Sequence, residues 1–168
     1  MDAAVGIVES QGFAALSLRS VARELGVGPM TLYTYVESSS ELASLVVDRL
    51  IDDALRGVRW PTAWRGVLRL VARRLDDLLS AHPAMVEAYQ RDMLRSGRAS
   101  QVAADVVGRL MADGLTLRQA KEAYFGVQAM VVGFAVMRSG RSEGAGDVPL
   151  DSALVNRLVG KLLDALAP

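Results

Sequence analysis

Apolar residues recur at helical spacing along nearly the whole chain. Ala4, Val5 and Val8 predict a first helix over 3–11, closed by Gly12, with Phe13 packing back. Leu18, Val21, Ala22 and Leu25 define the inner face of a second helix that starts at Ser17 and stops at Gly26, with Val27 tucked into the turn. Gly28 and Pro29 open a third helix, where a missing N–H costs nothing, and Leu32 and Val36 anchor it. Ser38 and Glu41 form a capping-box signature for a fourth helix running to about Arg56. A long amphipathic helix follows over Thr62 to Ala81, with Trp64, Val67, Leu68, Val71, Leu75, Leu78 and Leu79 on one face. Arg65, Arg69, Arg73, Asp76 and Asp77 form its solvated face.

His82-Pro83 marks a break before a short helix over 84–94, and Ser96-Gly97-Arg98 reads as a loop. A helix from about Ser100 to Met111 ends at Asp113-Gly114. Thr116 caps the longest helix, Leu117 to about Ser139, whose second half is apolar almost all round except for Gln128. Ala129, Gly133 and Met137 recur every four residues there, a small-residue stripe open to close helix approach. A loop over 140–149 leads to a last helix, Ser152 to Leu166, with a broad apolar face. A helix buried on all sides needs more cover than its own core supplies. The two C-terminal helices therefore predict a four-helix interface between two copies, in preference to the plain alternative that they complete a monomer core.

The pair of helices over Ser17 to Val36 has the layout of a helix-turn-helix, whose second helix enters the major groove of DNA. Its wording is more specific than its layout. Gly12, Phe13 to Leu16, Arg19 to Gly26, Thr31-Leu32-Tyr33 and Tyr35-Val36 together resemble the head of the tetracycline-repressor-like (TetR) family of transcriptional regulators. The resemblance is strong over residues 1–56 and weaker beyond. It implies an all-α chain with a three-helix DNA-binding head and linking helix in 1–56 and a helical ligand-binding and dimerisation bundle in 57–168. It also implies a ligand-responsive regulator, in the first instance a repressor, that binds a palindromic operator as a homodimer and is released by a small effector. Carried over residue by residue, Ser17 and Arg19 would touch the DNA backbone, and Pro29, Met30, Thr31 and Thr34 would face base edges or thymine methyls. Tyr33 and Tyr35 would reach phosphates. Ser39 stands where the family pattern has a lysine, and the free N–H groups of that helix start would hold the phosphate in its place.

Charge complicates this picture. The chain is neutral overall, yet residues 1–56 carry four basic against eight acidic side chains. A DNA-binding head is expected to be basic, because phosphate neutralisation supplies much of its affinity. The acidic balance keeps a second reading open: a dimeric helical ligand- or protein-binding module with little DNA affinity. Aspartates 48, 52 and 53 fall late in a helix that leads away from the DNA surface.

Enzyme chemistry has little to stand on. Cysteine is absent and His82 is the lone histidine, which excludes thiolate or His-cluster metal sites. No phosphate loop or nucleophile elbow is present, and no cofactor is expected. In TetR-like bodies the His82 region borders a ligand cavity. Trp64, His82, Met85, Tyr89, Tyr124 and Gln128 are the residues expected to line it, with Trp60, Met93 and Met137 as further candidates. A glutamine inside an apolar run needs a partner, which a ligand, a water or a second subunit would each supply. Such cavities are mostly apolar with few polar groups, so the expected effector is small and hydrophobic or amphipathic. The longest apolar run, Ala129 to Met137, is about half of a membrane span. Met1-Asp2-Ala3-Ala4 lacks the basic segment of a signal peptide, so a cytoplasmic location is expected.

Overall fold

A computed structural model describes residues 1–91, 93, 97–140 and 149–166. Among these the chain is helical throughout: α1 (Asp2–Gln11), α2 (Leu18–Leu25), α3 (Pro29–Tyr33), α4 (Ser39–Leu55), α5 (Trp64–Ala81), α6 (Ala84–Gln90), α7 (Gly97–Ala112), α8 (Leu117–Ser139) and α9 (Ser152–Ala165). A 3-10 turn over Phe13–Ala15 joins α1 to α2.

Local chemistry sets most of the boundaries. Gly12 ends α1 at φ 78° and Gly26 ends α2 at φ 68°, conformations that a Cβ would disfavour. At the start of α2, Ser17 Oγ accepts the Ser20 N–H at 3.0 Å, and the Ser17 N–H donates to Ser20 Oγ at 2.9 Å. This is a capping box with serine at both ends. Thr116 and Gln119 make the same reciprocal pair at the start of α8.

At α4 the box is looser than the sequence suggests. Ser38 Oγ accepts the Glu41 N–H, but the Glu41 carboxylate passes Ser38 and takes the Glu37 N–H at 2.7 Å.

Three caps come from across the fold. Asp113 Oδ2 accepts the Trp64 N–H at 2.7 Å, so α5 starts at Trp64 rather than at Thr62. Asp48 on α4 accepts the Arg98 N–H at 2.8 Å and caps α7. That helix therefore begins at Gly97 rather than Ser100, and Gly97 and Arg98 belong to its first turn instead of a loop. Gly97 has φ 68°, and a Cβ there would stand 2.7 Å from the Asp48 carboxylate. Glu87 on α6 accepts the Phe13 N–H at 3.1 Å. The short helix expected over 84–94 stops at Gln90. Ser96 and most of the loop expected over 140–149 lie outside the described residues.

The core is continuous from head to body. α5 is its axis and packs against α4, α6, α7, α8 and α9. Its buried face contains Trp64, Val67, Leu68, Ala72, Leu75, Leu78 and Leu79. Asp76, expected on the solvated face, is 2% exposed. Arg138 at the end of α8 reaches it with Nη2 at 2.7 Å from Oδ1, which is how a carboxylate comes to be tolerated there. In the head, α1 packs on α2 and α4, and α2 on α3. Leu25 and Val27, expected inside, are exposed at the end of α2 and in the turn after it, and neither packs on the core.

Candidate nucleic-acid interface and ligand cavity

α3 is held by little and shows much. Leu32, with Val36 just beyond the helix, is half-buried against the core, and no residue of α3 is fully buried. Pro29, Met30, Thr31, Tyr33, Thr34 and Tyr35 all point outward, Met30 at 76% and Tyr35 at 79% exposure. Exposed Met30 and Tyr33 on this short helix, with Tyr35 just beyond it, form an apolar patch that the chain itself leaves open. Thr34 is exposed and donates its hydroxyl to the Thr31 carbonyl at 2.6 Å.

Arg19 is exposed and makes no ion pair with any described residue. Ser17 caps α2, as its place in the sequence predicts. Its Oγ accepts the Ser20 N–H and donates to Ser20 Oγ, leaving it committed to the cap. Ser39 is exposed at the first position of α4. The Ser39 and Ser40 N–H groups there precede the first intrahelical bond, which Leu42 makes to Ser38.

The acidic residues of the head are largely engaged elsewhere. Asp48 caps α7, and Asp52 Oδ1 pairs with Arg98 Nε at 2.6 Å. Asp53 is held by Arg49 and Arg56, and its carboxyl lies below the usual range because it accepts the Arg49 hydrogen bond. Glu9 pairs with His82 at 2.8 Å. Glu24 and Glu37 are the exposed acids nearest in sequence to α3, and no described cation pairs with either.

A cavity opens in the body between α4, α5, α6, α7 and α8. Ile51, Ala54 and Leu55 line it from α4, and Val71, Arg74, Leu75 and Leu78 from α5. Met85 and Tyr89 of α6, Ala99 and Val102 of α7, Tyr124 and Gln128 of α8, and Trp60 complete it. The cavity volume is about 80 Å³, room for roughly two or three waters at about 30 Å³ each. The Gln128 Nε2 donates to the Tyr124 hydroxyl at 2.9 Å. The amide's partner is thus one turn back on its own helix. Burial pushes the Tyr124 hydroxyl up to about 12 and raises that of Tyr89 further, because a phenolate loses its hydration inside.

Of the residues expected in the cavity, Met85, Tyr89, Tyr124 and Gln128 meet in its wall. Trp64 is buried elsewhere in the core, with the Arg65 guanidinium 4.3 Å from its ring. His82 lies in a neighbouring cleft with Leu50, Asp53, Arg74 and Asp77. Met137 is exposed and Met93 half-buried. Sequence reasoning missed the α4 wall and Arg74. Ile51, Ala54 and Leu55 continue the i, i+3, i+4 rhythm of α4 beyond the part needed to seat the head, which is the signal that would have found them.

α6 links cavity and head. Met85 and Tyr89 face the cavity, while Glu87 holds the Phe13 N–H and His82, just before the helix, holds Glu9 of α1.

On the far side of the body, α8 exposes Phe125, Ala129, Gly133, Val136 and Met137. A Cβ on Gly133 would meet nothing within 4 Å. Among the described residues no helix is long and apolar enough to cross a membrane.

Comparison with known proteins agrees with this geometry. Residues 1–43 match the model of the bacterial regulatory proteins of the tetR family. The transcriptional repressor DrrR1 of Streptomyces coeruleorubidus is 32% identical over 136 residues, 80% of this chain and 50% of that protein. A Mycobacterium tuberculosis repressor, Rv1353c, is 25% identical over 142 residues, 80% of this chain and 54% of that protein. The chain therefore spans about half the length of the curated relatives it matches. The crystal structure of Mycobacterium smegmatis BioQ superposes with a TM-score of 0.73 at 29% identity, covering 99% of this chain and 94% of that one. A BioQ structure with its double-stranded DNA operator superposes at 0.70 with 25% identity, over 99% of this chain and 94% of that one.

Proposed function

We propose, from the premise that this chain belongs to the TetR family of bacterial regulatory proteins, that it is a DNA-binding transcriptional repressor working as a homodimer and released by a small effector. The observation that carries the reading is α3: a short helix after an αL glycine turn, fixed by Leu32 and Val36, with every other side chain open to solvent. A dimer would set two such helices in successive major grooves, about 34–36 Å apart on a palindromic operator.

In this reading Pro29, Met30, Thr31 and Thr34 face base edges and thymine methyls, and Tyr33 and Tyr35 reach phosphates. Arg19 and the α4 start at Ser39 add backbone contacts. Ser17 contributes through its place at the α2 start, its hydroxyl being engaged. Long polar side chains are scarce on α3, so sequence discrimination rests mainly on methyl contacts and DNA shape. The acidic balance of the head weighs less than its count suggests, since Asp48, Asp52 and Asp53 are held by Arg98, Arg49 and Arg56.

Dimerisation through α8 and α9 is supported by the open apolar stripe from Phe125 to Met137. The effector would occupy the cavity walled by Trp60, Arg74, Met85, Tyr89, Tyr124 and Gln128. Through α6 its binding would alter how Glu87 and His82 hold α1 and the Phe13 turn. Release of DNA requires the effector to bind the two arrangements with different affinity. We place such a regulator in the cytoplasm.

A gel shift on the protein's own promoter region, at low and moderate salt, tests the reading. A discrete complex that weakens with salt is expected. Equal, feeble retardation of promoter and unrelated DNA at low salt would instead favour a helical binding module with little DNA affinity.

A further inference from the structure

We infer that the cavity between α4 and α8 takes a small apolar carboxylic acid, with its carboxylate on the Arg74 guanidinium and its apolar body among Leu75, Leu78 and Met85. The inference rests on the effector reading above and adds the chemical class of the ligand.

Among the described residues, Arg74 is the one charged side chain in the cavity wall. It is half-buried, and it makes no hydrogen bond or ion pair with any described residue. A half-buried arginine beside apolar side chains, with no anion bonded to its guanidinium, offers five donors in a planar fork that suits a carboxylate. Six other arginines of the chain, Arg49, Arg56, Arg91, Arg98, Arg118 and Arg138, do have carboxylate partners. Asp53 and Asp77 share the outer cleft with Arg74. Neither lies within ion-pair distance of it, and Asp53 is already held by two arginines.

The other polar groups of the wall point the same way. Tyr89 and Tyr124 stay protonated at any working pH, so their hydroxyls are neutral donors. The Gln128 amide nitrogen is engaged by Tyr124, leaving its carbonyl as the free acceptor. Among the described residues the wall has one cation, two phenol donors and no anion, which selects a ligand rich in acceptors. A carboxylate fits a guanidinium in a two-bond, charge-assisted pair. The volume of about 80 Å³ limits the body to a short chain.

Hexanoate and its neutral isostere hexanamide test this, by calorimetric titration and by the shift in melting temperature of the full chain. Hexanoate is expected to bind at least about tenfold more tightly than hexanamide, a difference of about 1.4 kcal/mol. Arg74→Gln should bring the ratio close to one, and Arg74→Lys should keep part of it. Equal affinity of the two probes, an undiminished preference in Arg74→Gln, or no response to either probe overturns the inference. DNA binding by the ligand-free protein is measured separately. A discrete promoter complex without carboxylate preference removes this inference alone. Carboxylate preference without DNA binding removes the regulator reading and leaves the cavity chemistry standing.

Discussion

Arg138→Met removes the cation from the buried pair that ties the end of α8 to the middle of α5. The Asp76 side chain is 3% exposed and that of Arg138 24%, with 2.7 Å between them. Methionine keeps the apolar stem and deletes the charge, stranding a carboxylate in the core. Breaking a buried pair in this way costs about 3–5 kcal/mol. The partial exposure of Arg138 lets water reach the site and lowers the figure to about 2–4 kcal/mol. At about 2–4 °C per kcal/mol for a chain of this size, the melting temperature should fall by about 5–15 °C. Circular dichroism melts at one fixed protein concentration measure this, since any self-association shifts the midpoint. Adding Asp76→Leu should recover most of the loss, because an apolar pair replaces an unpaired charge. A single variant that melts with the parent, or a deficit that Asp76→Leu leaves untouched, would show that the pair carries no such energy.

Three further outcomes are expected. Ser39→Lys should add one phosphate contact per subunit and steepen the slope of log K against log[salt] by about 1.8 units. Preference among operators should barely change, and an unchanged slope would remove the α4 start from the DNA surface. Gly133→Arg should yield monomers by light scattering without loss of helix content, since the position is open within one chain; a dimer of unchanged size would exclude α8 as the interface. Stability should decline between about pH 10 and 12, because Tyr89 and Tyr124 ionise more readily unfolded than folded. Each contributes roughly 1 kcal/mol at pH 11, and Tyr124→Phe should lessen the drop in urea midpoint between pH 8 and 11.

The parts of the fold that depend on neighbours in sequence were legible. Ser17, Gly26, Pro29, Ser38 and Thr116 mark helix ends, and the structure has ends there, because caps and left-handed turns are decided within a few residues. The exposure of α3 followed from the same pattern. Features that depend on what another helix brings were hidden. Asp76 looked like a solvated residue because nothing near it in sequence announces Arg138, 62 positions away. The starts of α5 and α7 moved because their caps, Asp113 and Asp48, come from other elements. For the cavity, Tyr89, Tyr124 and Gln128 were visible as polar marks on apolar faces. Arg74 was not, since an arginine on an amphipathic helix reads as surface until the neighbouring helices are in place.

The caps that cross from α4 to α7 and from α6 to the Phe13 turn bear on how this chain can be taken apart. Grafting a foreign head onto this body at residue 56 would strip α7 of the carboxylate at position 48 and leave Arg98 without its aspartate at 52. The transplanted head would in turn have to offer Glu87 a backbone N–H in the place of Phe13, and His82 a carboxylate in the place of Glu9. A chimera that ignores these four positions exchanges recognition helices at the expense of the joint between them and the cavity. One that restores an acid at 48 and 52 and keeps Glu9 and the Gly12-Phe13 turn should reprogram the DNA target while leaving the body's response to its ligand intact.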